Sequence, residues 1–284
     1  MSNFILRLLS AALLLPPVIT AFIWGGWWLK GLVMAVSFGC LWEYGSIVAK
    51  HELRTRAALM IVGTIAAALL LAVDSAAHAM LVVQGSMMVF ASMFVLVPGE
   101  LATAWQRLCT LTFAIPYVVL GLSSVARLRD LGDHLPGGAR GGFILVAFTA
   151  TWANDTCAYF AGRAFGKHKM SALISPKKTW EGFAGGAVGT LCFLLAGRFL
   201  LPQVFSAMTY LDMVLVSIPA SFLGPMGDLA ESMLKRNYHV KDSGAILPGH
   251  GGMLDRVDAV FFVAPWTLAY FVALKPMVDQ LLAP

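Results

Sequence analysis

The sequence predicts an all-α polytopic membrane protein of about nine transmembrane helices with a cytoplasmic N-terminus. Three observations predict it. Of 284 residues, 59% are hydrophobic and only 12% charged, with a mean hydropathy of +0.78; a soluble domain carries about 25% charged residues. The apolar residues gather in runs near the ~20 needed to cross a bilayer as a helix. Lys and Arg collect in alternate connections, as positive-inside topology requires.

In chain order the expected spans are 4–23, 27–49, 56–73, 76–97, 105–126, 141–162, 182–202, 210–234 and 254–273. The first follows Arg7 and resembles a signal peptide. It lacks a convincing small-x-small cleavage site, and further spans follow, so it reads as an uncleaved first span. Trp24, Trp27 and Trp28 in "IWGGWWLK" read as an interfacial belt. Glu43 lies toward the cytoplasmic end of the second span and reads as paired or snorkelling. The third span is short and the eighth ends polar, which leaves a count of eight to ten. With the N-terminus inside, the cytoplasmic side receives Arg7, Lys50, Arg54, Arg56, Arg107, Arg163, Lys167, Lys169, Lys177, Lys178, Lys235, Arg236, Lys241 and Arg256, fourteen of the twenty basic residues. Lys30, Arg127, Arg129, Arg140, Arg198 and Lys275 fall near the opposite face. The two richest polar loops, 163–181 and 235–254, therefore share the cytoplasmic side.

No polar gap is long enough for a soluble domain. The chain reads as one integral membrane unit, with N-terminal helices over 1–104 and a C-terminal catalytic part over 105–284. The net charge of +5 is accounted for by topology, so nucleic acid is not an expected partner. Cys40, Cys109, Cys157 and Cys192 lie in apolar runs without a C-x-x-C pair and read as small buried hydrophobes.

Two polar constellations carry chemistry. The first is "GPMGDLAESMLKRNYHVKDSGAILPGHGGMLDRVD". Asp228, Glu231, Ser232 and Lys235 share one helix face by their spacing, and Asp255 and Asp258 share a face of the next helix. Ionisable groups in membrane helices are costly and point to function. Carboxylates facing each other from two helices make a hard-oxygen site suited to Mg²⁺. Lys235, Arg236, Lys241 and Arg256 add positive charge, and the glycine-rich turn offers backbone N–H groups. Together they suit a metal-bound phosphate or polyphosphate. The competing reading is topogenic charge with helix-ending glycines; it fits single residues better than the whole block.

The second constellation is "WANDTCAYFAGRAFGKHKMSALISPKKTWEGFAGG". Asn154 and Asp155 sit inside the sixth span. Ser175-Pro176 is expected to start the turn into the seventh helix, with Glu181 in its first turn. Lys177 and Lys178 flank that helix N-terminus, where an anion can bind. Topogenic lysines and a helix cap are the plainer alternative. No Walker A order is present. His51, His78, His134, His168 and His239 lack zinc-site spacing, and no G-x-S-x-G elbow occurs.

The C-terminal block resembles the bacterial phosphatidate cytidylyltransferases, or CDP-diacylglycerol synthases. The matching positions are Ser232, Lys235, Arg236, Lys241, Asp242, Gly244, Leu247, Pro248, His250, Gly251, Gly252, Asp255, Arg256 and Asp258, without departure. The upstream "GRAFGKHK…SPKKTWEG" is similar to the family's second polar stretch, whereas the first 100 residues match only in hydropathy. The resemblance implies a multi-pass enzyme of the bacterial inner membrane, dimeric, that joins CTP to phosphatidic acid and releases pyrophosphate. It implies Mg²⁺, with K⁺ as a possible second ion, held at Asp228 and Asp255.

On that resemblance, Lys235, Arg236, Lys241 and Arg256 bind phosphates, and Asp258, Asp242 and Asp155 support the metal or orient the basic residues. His250, Gly251 and Gly252 let the loop close on the triphosphate. Lys177 and Lys178, with Ser175 and Asn154 beside them, hold CTP or the lipid headgroup; the sequence leaves open which. A transporter would need polar access from both faces, which residues 127–140 support poorly. The D-G-x-x-A-R pattern of the CDP-alcohol phosphotransferases is absent. A paralogue acting on another lipid phosphate, or a non-catalytic scaffold, is the remaining alternative.

Overall fold

A computed structural model describes residues 3–97, 99–133 and 141–283; His134 and Arg140 lie outside the described residues. The helices are α1 (Asn3–Trp24), α2 (Gly26–Val48), α3 (Leu53–Ala72), α4 (Ala76–Leu96), α5 (Leu101–Ala114), α6 (Gly121–Asp133), α7 (Gly142–Phe165), α8 (Trp180–Leu200), α9 (Tyr210–Asn237), α10 (Leu254–Val257), α11 (Val260–Ala269) and α12 (Lys275–Leu282). Wide π turns over Ile115–Leu120 and Tyr270–Leu274 join α5 to α6 and α11 to α12.

The fold is that of a helical, polytopic membrane protein. Among the described residues, seven helical stretches are long and apolar enough to cross a bilayer. Two of the nine expected spans fall outside that set. The apolar part of α1 is the shorter Leu8–Trp24, and α7 is 24 residues long but is made less apolar by Asn154 and Asp155. Large apolar side chains face outward, such as Leu13, Trp27, Met80 and Val95 at 73–87% exposure, as lipid-facing surfaces require.

Three expectations are corrected. Within loop 163–181 of this helical fold, β1 (Lys169–Ser171) and β2 (Ser175–Thr179) pair antiparallel. Ser175-Pro176 therefore begins a strand rather than the turn into the helix, while Glu181 lies in the first turn of α8 as expected. The helix starts at Thr179, whose hydroxyl accepts from the Gly182 N–H (3.1 Å) and so caps α8. The far-side loop expected from 127 is helical to Asp133, with Arg129 buried on Asp133 one turn on. Of the four cysteines only Cys40 is buried; Cys109 and Cys192 are exposed.

The chain forms two compact units. The first comprises Met1–Ala126 and Asn237–Arg256, the second Arg127–Arg236 and Val257–Pro284. In the first unit, α2 packs on α3 where a Cβ at Gly63 would meet Leu41 at 2.7 Å. In the second, α7 and α8 approach through small residues: Gly182, Gly186 and Gly189 face Ala158, Asn154 and Cys157, the small-residue packing typical of membrane helices. Asn154 and Asp155 line a common cavity with Lys177 and Lys178 of the hairpin.

Candidate active site

The second unit holds a cavity of about 400 Å³. Its polar lining includes Asn154, Asp155 and Arg163 from α7, Lys177, Lys178 and Thr179 from β2, and Asp228 from α9. Its apolar lining includes Ala158, Tyr159, Met170 and Phe183. Charged groups of both signs thus share one wall with hydrocarbon.

Pro225 shapes α9 here. Proline has no N–H, so the carbonyl of Ser221 loses its helical partner. Asn154 replaces it: its Nδ2 donates to the Ser221 carbonyl (3.2 Å) and to Thr190 Oγ1 (3.3 Å). Asn154 is 1% exposed, so this residue, expected to bind substrate, braces α9 where Pro225 leaves a carbonyl unpaired. The Pro225 carbonyl accepts from Lys178 Nζ (3.1 Å), and the same ammonium pairs with Asp228 Oδ2 (2.7 Å). Ser232 donates to the other Asp228 oxygen (3.3 Å).

Asp228, Glu231 and Asp258 converge, each offering a carboxylate oxygen within 4.8 Å of the others. Gly227 makes this possible, because a Cβ there would run into the Asp258 carbonyl at 2.5 Å. Asp258 does not continue the helix of Asp255. It sits at the break after α10, where its Oδ1 accepts from the Ala259 N–H (2.8 Å). Glu231, not among the expected site residues, is 1% exposed and pairs with Lys235 (2.9 Å). Lys235, expected to bind phosphate, is itself buried. The one sequence signal for Glu231 is its shared helix face with Asp228.

At the hairpin, Glu181 takes the N–H groups of Lys167 (3.0 Å) and His168 (3.2 Å) and the His168 ring (2.6 Å). With Thr179 capping, the α8 N-terminus is already served, which weakens its reading as an anion site. Lys177 is exposed, Ser175 half-buried.

The first unit holds the glycine-rich loop. Asp255 Oδ2 accepts from the Ser243 N–H (3.0 Å) and lies 2.9 Å from the Ser243 hydroxyl. That hydroxyl also reaches Glu43 Oε2 (3.0 Å). Arg256 donates twice to the His250 carbonyl (2.7 and 3.0 Å), and the His250 ring meets Ser10 (2.8 Å). The His250 and Gly251 N–H groups both bond the Leu247 carbonyl. The turn thus consumes two of the donors expected to face a ligand, and Gly251 is glycine because its φ is +84°. Lys241, Asp242 and Arg236 are exposed.

These features define a class: a helical membrane protein that brings a carboxylate cluster and basic residues together beside an apolar-walled cavity. The chain belongs to the cytidylyltransferase family, which it matches over residues 5–274. It is 42% identical over 152 residues to a phosphatidate cytidylyltransferase of Staphylococcus saprophyticus, covering 54% of each chain. It is 47% identical over 132 residues to that of Bacillus subtilis, covering 46% of this chain and 48% of the relative. The chain thus spans about half the length of the curated relatives it matches.

Proposed function

We propose that the protein transfers CMP from CTP to phosphatidic acid, giving CDP-diacylglycerol and pyrophosphate. The observation that carries the reading is the second unit's cavity, where Lys178 and Asp228 meet at a wall shared with Tyr159 and Phe183. Such a lining suits an anionic headgroup attached to hydrocarbon. The family and the printed names of the relatives point the same way.

The donor set fits Mg²⁺, which takes hard oxygen ligands. Asp228, Asp258 and Glu231 are carboxylates close enough to share one ion; the sequence motif also points to Asp255, of the first unit, as an acid of the reaction and to K⁺ as a second ion. When bound, the metal neutralises triphosphate charge and stabilises the departing pyrophosphate. Lys178, Lys177 and Arg163 bind and orient phosphates. Ala158, Tyr159 and Phe183 hold the lipid end and exclude water. A phosphate oxygen of phosphatidate forms a bond to the α-phosphorus of CTP, and the bond from that phosphorus to the bridging oxygen breaks. A phosphate monoester is largely ionised at neutral pH, so no general base is required; positioning and charge supply the rate. The reading includes a homodimer in the bacterial inner membrane with its site on the cytoplasmic face, where CTP is.

The test is direct. Detergent-purified protein is supplied with labelled CTP, phosphatidate and Mg²⁺. Lipid-linked CMP is the expected product, lost in Asp228→Ala. No product from the unaltered protein across several phosphatidates and divalent metals would overturn the assignment.

A further inference from the structure

Glu43 lies toward the C-terminal end of the apolar helix α2 and is 2% exposed. A buried carboxylate is strongly disfavoured unless hydrogen bonds hold it. Its Oε2 accepts from the Leu254 N–H (2.9 Å), the first residue of α10, and from the Ser243 hydroxyl (3.0 Å). Ser243 in turn gives its N–H to Asp255. One serine, 5% exposed, therefore links the two acids.

The loop's glycines report the same contact. Gly244 and Gly252 do not adopt the left-handed backbone that explains Gly249 and Gly251. Gly244 is small because of Glu43, and Gly252 because of Ser243 and the two acids beside it. A Cβ at Gly244 would run into the Glu43 carboxylate, and one at Gly252 would run into the Ser243 hydroxyl and lie 2.9 Å from both Glu43 Oε2 and Asp255 Oδ2. Glu43 Oε1 is buried without a hydrogen-bond partner among the described residues. An acceptor left unpaired costs stability, so packing alone would be served better by an apolar residue. The arrangement instead dictates where the Asp255 carboxylate points.

We propose that Glu43 is a positioning residue: through Ser243 and the Leu254 N–H it holds the loop 241–252 and orients Asp255 for its part in CMP transfer. The proposal rests on the function given above. Residues that orient a metal-binding carboxylate affect metal affinity or activity by about 10–100-fold.

The experiment compares unaltered protein, Glu43→Ala, Glu43→Gln, Ser243→Ala and Asp255→Ala. CMP transfer is measured against Mg²⁺ concentration per folded molecule, and amide hydrogen exchange is followed in peptides covering 241–256 without metal. In Glu43→Ala the Mg²⁺ concentration for half-maximal rate is expected to rise about 10–100-fold, and the amides of Ser243 and Leu254 to exchange faster. Glu43→Gln keeps an oxygen acceptor and should recover most of both. A folded Glu43→Ala protein with the original Mg²⁺ requirement and exchange rates would overturn the proposal. If that variant does not fold, Ser243→Ala decides by the same two readings. Full activity in Asp255→Ala would overturn the part given to Asp255 while leaving CMP transfer standing; no CMP transfer by the unaltered protein would instead remove the functional reading beneath the proposal, and the exchange result would still report on the clamp.

Discussion

The acidic sites of the two units solve the same problem differently. In the first unit, Glu43 accepts from neutral donors, the Ser243 hydroxyl and the Leu254 N–H, and Asp255 accepts from the Ser243 N–H. In the second, Asp228 and Glu231 are held by ammonium groups, those of Lys178 and Lys235, and Asp228 and Lys178 also line a cavity. Neutral hydrogen bonds fix a geometry without cancelling charge. A lysine partner cancels charge and can be exchanged for another cation or lent to an anion. The first arrangement is suited to holding a carboxylate in one orientation, the second to receiving charged ligands.

Substitutions test that contrast, beginning with the largest expected effect. Asp228→Ala removes an acid from the cluster and should lower the CMP-transfer rate by about 10³-fold. Equal loss from a distant surface aspartate would break the distinction. A chelator should abolish the activity and added Mg²⁺ should restore it; unchanged turnover after chelation would sink the metal reading. Lys178→Ala leaves Asp228 without its counter-ion and should cost about 10²-fold in rate, mostly at saturating substrate, whereas Lys178→Arg should be milder. Asn154→Ala strips the donor from the Ser221 carbonyl and should destabilise the protein by about 1–3 kcal/mol, read by thermal unfolding in detergent. Thr179→Ala removes the α8 cap and should cost about 1 kcal/mol, the smallest shift of the set.

The sequence made the spans legible because a bilayer imposes length and hydropathy on each segment separately. The ends of α2, α4 and α8 fall within two residues of the expected ones. The local start of α8 was less legible. Ser175-Pro176 carries a turn signal, but pairing of 175–179 with 169–171 depends on a partner strand that local propensity does not register. The helix-face spacing placed Asp228 with Glu231 and, at i,i+4, Glu231 with Lys235, yet it did not tell whether that pair would be buried or would face a ligand. Asn154 read as a binding residue because polar groups in spans are costly. Its brace on the Ser221 carbonyl depends on Pro225, 71 residues later.

By itself the sequence determined that the chain is a helical membrane protein and that its polar chemistry is concentrated in two short stretches. Those are properties of composition and local spacing, which hydrophobic burial reads directly. Only the tertiary structure decided which charges neutralise each other and which residues are braces. It set Lys178 on Asp228, brought Asp258 to the cluster through Gly227, and joined Glu43 to a serine 200 residues away. Hydrogen bonds and ion pairs act over about 3 Å. Which groups come that close is settled by helix packing, where a glycine or a proline decides the approach.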